Sequence, residues 1–279
     1  MILMVFMPHI LPIPALQPYV RNYFLLHVDM NSVPAEHRIK PMPPDADQSL
    51  FFYPRSQVYA ISHHNGEKRA SAPSIFVAQQ TTRMNIQLSG DHLIIQVCFR
   101  PGFLYQFLGK IPVREFHGKE IDAEDLSDQG MSILNEQLRE TADYQMMIGL
   151  IESFLLKRLN SIKTELLPVD HAILLLRTSK TPLSLSWLAD QACLSHRQFE
   201  RNFMDRMGMS PKFYSRIARF DRAYKLKLQA PERDWLEIAY QCGYYDFSHL
   251  MRDFRQFAEV TPSMLIAQDT ILPGSRTYI

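Results

Sequence analysis

Two stretches near the C-terminal end carry arginines at a spacing suited to gripping an anion or a base edge. RNFMDRMGMSP (201–211) and RDFRQFAEVTP (252–262) both read Arg-x-Phe-x6-[Ser/Thr]-Pro, at an offset of 51 residues. The match extends upstream, where Ser195 aligns with Asp246 and Phe199 with Leu250. Self-similarity at a fixed offset marks two copies of one structural unit. At 100° per helical residue, Phe199 and Phe203 share one side of the first copy, with Asn202 and Arg206 at its margins. Arg197, Glu200, Arg201 and Met204 fall on the opposite side. In the second copy Leu250, Phe254 and Phe257 face inward, while Ser248, Met251, Arg252 and Arg255 face out. A helix anchored on one face and bearing two arginines on the other suits the major groove of duplex DNA, where arginine pairs bidentately with guanine or clamps phosphate. On one lone helix such arginines are more often solvated surface. Their recurrence at matching positions in two copies favours recognition.

Other chemistries find little footing. The chain has no Gly-x-Ser-x-Gly, no glycine loop for phosphate and no His-Glu-x-x-His, and only 10 glycines in all, so neither an enzyme nor a bound cofactor is expected. His63 and His64 are adjacent, and adjacent residues of a strand point to opposite faces, so they cannot easily share one ion. His92 stands alone at a strand start, and no metal site is expected. Cys98 reads as a buried, inert thiol. The three cysteines, Cys98, Cys193 and Cys242, are too few and too dispersed for a disulfide framework or a zinc cluster, which points to a reducing, cytoplasmic setting.

The elements that position these residues can be read from punctuation and period. Ser184 caps a short helix through Ala192, and after the Cys193-Leu194 turn Ser195 caps a second helix that Gly208 ends. Asp234 caps residues 235–241, residues 242–245 turn, and Asp246 caps residues 247–257. Two short helices joined by a tight turn are a helix-turn-helix, and this chain has two. Between them Ser210-Pro211 opens a long helix to about Gln229, with proline at the first helical position. Arg216, Arg219 and Arg222 recur along it at three-residue spacing and are expected to back the charged face.

The first half of the chain has a different texture. Half of the 18 prolines lie in residues 1–54, where helical periodicity is absent. From 50 to 100, short β-rich runs alternate with turns, including Asn65-Gly66 and Ser89-Gly90-Asp91, as in a small β-barrel or sandwich. Helices are expected over 103–108, 130–141 and 144–159, then a linker over 160–168. The apolar stripe Met147, Leu150, Ile151, Phe154 and Leu155 either packs on the strands or joins two chains in a homodimer, and a homodimer is the expected assembly. Strands followed by helices imply two domains: residues 1–160, a β-rich barrel or sandwich with following helices, and residues 168–268, an all-α domain with two helix-turn-helix units.

Composition agrees with an ordinary globular chain. It has 279 residues, is 46% hydrophobic and 21% charged, and carries 30 Lys and Arg against 29 Asp and Glu. Disordered, collagenous and coiled-coil classes are excluded. Residues 181–268 hold 12 Lys and Arg against 10 Asp and Glu, so any charge signal there is local. The apolar N-terminal stretch has no basic n-region, and its prolines at 8, 12, 14 and 18 would break a spanning helix, so no membrane segment is expected.

Residues 181–268 resemble the AraC/XylS-type DNA-binding domain. The resemblance rests on LSWLA (185–189), Leu194-Ser195, Phe203-x4-Gly208-x-Ser210-Pro211, RFDRA (219–223), Ile238-Ala239, Cys242-Gly243-Tyr244, FSHL (247–250) and VTP (260–262). It implies seven helices forming two helix-turn-helix units that read successive major grooves. Carried over by position, Arg197, Glu200 and Arg201 form one base-reading set and Ser248, Met251 and Arg252 the other. Glu259 stands where that family commonly has a helix-ending glycine, and Met251 replaces a small polar residue, which suggests contact with a thymine methyl. YVRNY (19–23) and FRPG (99–102) look like a variant of the cupin-like sensing domains of such regulators. The function implied is sequence-specific DNA-binding regulation of transcription, with double-stranded DNA, RNA polymerase and a small-molecule effector as partners. The alternative is a cupin-like β-barrel enzyme with a helical accessory domain.

Overall fold

A computed structural model describes residues 4–78, 80–116, 120–126, 129–162 and 166–269. The first half forms two antiparallel sheets. One runs β1 (Met4–Ile10), β2 (Val20–Asp29), β9 (Asp91–Phe99), β4 (Ser49–Phe52), β7 (Ser74–Val77) and β10 (Glu120–Asp122) from edge to edge. The other runs β3 (Ile39–Met42), β8 (Met84–Gln87), β5 (Tyr59–Ser62) and β6 (Lys68–Ala70). This is the expected β-rich sandwich, and Asn65-Gly66 makes the turn of the β5–β6 hairpin, with Gly66 at φ +69°.

The register of β2 against β9 sets the interior. Phe24, Leu26 and Ile94 point between the two sheets, while Tyr23, Leu25, Ile95 and Val97 point to the outer face of the six-stranded sheet. That outer face is covered by α1 (Phe103–Phe107), α2 (Gly130–Glu140) and α3 (Tyr144–Ser161). On α3, Met147, Ile151 and Leu155 are fully buried there, and Leu150 and Phe154 pack partly on the same cluster. The centre of the stripe is thus spent within the chain.

The expected linker includes residues 163–165, which lie outside the described residues. Beyond it come α4 (Pro168–Thr178), α5 (Leu185–Gln191), α6 (His196–Met207), α7 (Pro211–Gln229), α8 (Trp235–Gln241), α9 (Phe247–Phe257) and α10 (Pro262–Asp269). The caps are those the sequence signals: Ser184, Ser195, Ser210, Asp234 and Asp246 each accept a backbone N–H of their helix's first turn. Duplication extends to backbone strain. Cys193 (φ +52°) and Gly243 (φ +80°) turn the two units, and Gly208 (φ +72°) and Glu259 (φ +59°) end their second helices, all left-handed.

A left-handed conformation costs a residue with a Cβ about 1 kcal/mol. Glu259 offsets little of this through His63, 3.9 Å away, because both groups are substantially solvated. Glu259→Gly is therefore expected to stabilise the chain by about 1 kcal/mol in thermal unfolding, and Glu259→Ala to give no gain. Equal midpoints for the two variants would show that the backbone there is unstrained.

Candidate nucleic-acid interface and inter-sheet cavity

Phe199 and Phe203 on α6, and Leu250, Phe254 and Phe257 on α9, have no exposed surface. Seating these side chains fixes which faces remain outside. Arg197, Glu200 and Arg201 are exposed on α6, and Ser248, Arg252 and Arg255 on α9, with Met251 half-buried beside them. All seven candidate residues thus stand on the outer faces of the second helices of their units. The two sets sit on separate helices whose units are joined by α7.

The connecting-helix arginines require a correction. Arg216 donates to Asp253 Oδ1 at 2.6 and 3.1 Å, and Arg219 reaches Asp253 Oδ2 at 3.4 Å while lying over the Tyr244 ring. Arg222 donates to the Arg177 carbonyl at 2.7 Å. They do not back the charged face. Asp253 is 2% exposed, and a buried carboxylate must be paired, so it claims the cations of α7 and locks α9 against that helix. Tyr244 Oη donates a further bond to it at 3.1 Å. Sequence reasoning missed Asp253; its signal was an aspartate within the apolar side of an amphipathic helix. Arg206, placed at the margin of the buried side of α6, is itself buried and donates to Asp170 at 2.7 Å.

The second candidate site is a cavity of about 800 Å³ between the sheets. Phe24, Leu26, Ile75, Ile86 and Ile94 supply apolar wall, and the lining continues onto Arg177 of α4 and Asp221 and Lys225 of α7. The size is in the range that encloses a small molecule. His92 lines it at 1% exposure, and its Nδ1 has no hydrogen-bond partner. Burial, then the neighbouring His27, pushes its pKa down to about 4, so the ring is neutral near pH 7 and Nδ1 is free to donate or accept. Cys98 lines the same cavity, its thiol pushed up to about 11 by burial. Among the described residues no group of three or more His, Cys, Asp or Glu could hold a metal ion.

A ring of charge closes the helical end of the cavity. Burial alone would raise the Asp47 carboxyl, but Arg177 and then Arg21 outweigh it and hold it well below the usual carboxylate range. Arg177 donates to both Asp47 oxygens, at 2.6 and 2.8 Å, and Arg21 pairs with the same carboxylate. Asp221 is pushed up to about 6 by burial and the nearby Asp45, against the pull of Lys225. Around this ring Tyr214 Oη donates to the Ala46 carbonyl at 3.0 Å, and Gln48 donates to the Arg206 carbonyl at 2.8 Å. Residues 46–48 therefore pin the strands to the helices.

The buried His92 has a consequence for acid stability. A folded pKa below the usual 6.5 means its contribution is complete above about pH 6.5 and is lost as pH falls towards 4, up to about 3 kcal/mol. Asp221, raised, works in the opposite direction, so a variant isolates the histidine. His92→Gln is expected to flatten the fall in urea midpoint between pH 7 and 4.5; an unchanged slope would contradict a neutral buried ring.

A family model described as "Helix-turn-helix domain" matches residues 188–268, and one described as "Domain of unknown function (DUF6597)" matches residues 8–122. The chain is 30% identical over 95 residues to the HTH-type transcriptional regulator ArgR of Pseudomonas aeruginosa, a match covering 34% of this chain and 29% of that protein. It is 23% identical over 240 residues to an uncharacterized HTH-type transcriptional regulator of Haemophilus influenzae, covering 77% of this chain and 76% of the relative. The structure of ToxT from Vibrio cholerae is similar over 82% of this chain and 97% of its own, at 12% identity and a TM-score of 0.48. Residues 188–268 thus form a helix-turn-helix domain of the AraC type, similar to the corresponding part of proteins named as HTH-type transcriptional regulators.

Proposed function

We propose that this chain regulates transcription by reading a two-segment operator with α6 and α9, under control of a small effector held between its sheets. The observation that carries the reading is the repeated pair: two helices, each with its apolar face sealed and its arginines outward. Arg197, Glu200 and Arg201 address one segment, and Ser248, Met251, Arg252 and Arg255 the other. Arginine and glutamate can address guanine and cytosine edges, and the remaining arginines can neutralise phosphate. Residues 1–160 act as the sensing part and residues 168–268 as the DNA-binding part. RNA polymerase, a second copy of the chain and a cytoplasmic setting complete the picture; no described helix is long and apolar enough to cross a membrane.

The cavity supports effector control because its lining belongs to both parts. An occupant touching the strands and also α4 and α7 would bias how the strands and helices sit together, which is what coupling between a sensing and a reading site requires. The wall chemistry suits a mainly apolar molecule with a polar group that can bond His92 or meet the charged ring.

Two assays on the full chain test the reading. Mobility shift with promoter duplexes should show binding that weakens steeply with salt, by a slope of about −0.9 per phosphate neutralised. A thermal-shift screen of small molecules should find one that stabilises by about 2.7 kcal/mol at a hundred times its dissociation constant. Binding indifferent to salt would contradict the first part. A ligand whose shift survived filling the cavity with Ile94→Trp would contradict the second.

A further inference from the structure

The two recognition helices do not present the same chemistry. At matching positions α6 shows His196, Arg197, Glu200 and Arg201, where α9 shows Phe247, Ser248, Met251 and Arg252. Only the last arginine is kept. The other three positions change from ionisable groups to an aromatic ring, a small hydroxyl and a thioether.

Two of the replacements, Phe247 and Ser248, are exposed, and Met251 is half-buried beside them. Phe247, the first residue of α9, is 39% exposed, and Tyr245 just before it is 83% exposed. Met251 stands four residues after Phe247, so the two adjoin on the helix surface. They form an apolar edge along the face that carries Ser248, Arg252 and Arg255. An apolar edge of this kind can be covered by a partner. The flanking arginines require that partner to be anionic as well as apolar. Thymine in a duplex meets both demands, because its C5-methyl projects into the major groove between two phosphate backbones.

We infer that α9 reads thymine C5-methyl groups through Phe247 and Met251, so that the operator is asymmetric in chemistry as well as sequence. Opposite α6, arginine and glutamate select guanine and cytosine edges; opposite α9, apolar contact selects thymine and Arg252 supplies the polar contact. This rests on the reading of α6 and α9 as recognition helices.

The test replaces thymine by deoxyuridine, which pairs identically and lacks only the methyl. A duplex enriched by the full chain from a random pool supplies the operator, and Arg201→Ala and Arg252→Ala assign its segments to α6 and α9. Uridine in the α9 segment is expected to weaken binding about fourfold per contacted methyl. Uridine in the α6 segment should change it less than twofold. Met251→Ala and Phe247→Ala should each erase the penalty at one thymine, as a double-mutant cycle requires. An α9 segment without thymine, or one that binds equally well with uridine, overturns the inference and leaves the recognition reading intact. That result would also be expected if the apolar edge serves a protein partner. Failure to enrich any duplex overturns both.

Discussion

Replacing Asp47 with alanine is expected to destabilise the chain by about 3–5 kcal/mol, the cost of leaving a buried ion-pair partner uncompensated. Its side chain is 3% exposed and Arg177's is 16%, so solvent screens the Arg177 pair little. Arg21, at 38%, can recover hydration and adds less. Urea unfolding of the wild type, Asp47→Ala and Arg177→Met measures the loss. The double variant should recover part of it, because a pair removed together leaves no orphan charge. Because the ring joins strands to helices, the same variants should also make the two parts unfold at separate midpoints. A loss below about 1 kcal/mol would show that the junction is held by something else.

Arg201→Ala and Arg252→Ala are each expected to cost about 1–3 kcal/mol at the preferred operator, with a smaller loss on unrelated duplex. The useful control is Arg216→Ala. That arginine holds Asp253 rather than facing outward, so its loss should lower the unfolding midpoint before it alters sequence preference. Equilibrium titrations by fluorescence anisotropy, on operator and on scrambled duplex, separate the two effects. If either outward arginine could be removed without loss of specific affinity, its helix would not be reading bases.

How legible this was in the sequence depended on whether the determining contact is local. Helix starts were readable because Ser195 or Asp246 caps its own first turn within three residues. β1, β2, β3, β6 and β10 escaped notice. β1, β3 and β10 are edge strands, where Pro8 and Pro41 can sit in β1 and β3 without breaking a central ladder. β2 is buried on both faces, so it reads VRNYFLLHVD with no alternation to betray it. Helical periodicity found the outward face of α6 and α9, since the turn of a helix is intrinsic. It misjudged Arg216 and Arg219 because their fate is decided by the Asp253 carboxylate more than thirty residues away, and Arg222 because the distant Arg177 carbonyl claims it. The cavity was invisible for the same reason: Phe24, Ile86 and His92 meet only once the sheets close.

The central claim is that two helix-turn-helix units read one duplex together. α7, the rigid connection between them, has 19 residues and so spans about 28 Å. That length is of the same order as the roughly 34 Å between the centres of successive major grooves, which two reading helices would have to bridge. The most direct measurement is selection of binding duplexes from a random pool by the full chain, followed by sequencing. The expected result is two preferred segments separated by about 10–10.5 base pairs centre to centre, one lost with Arg201→Ala and the other with Arg252→Ala. A single preferred segment that both variants weaken equally, or a pool that gains no sequence preference, would contradict it.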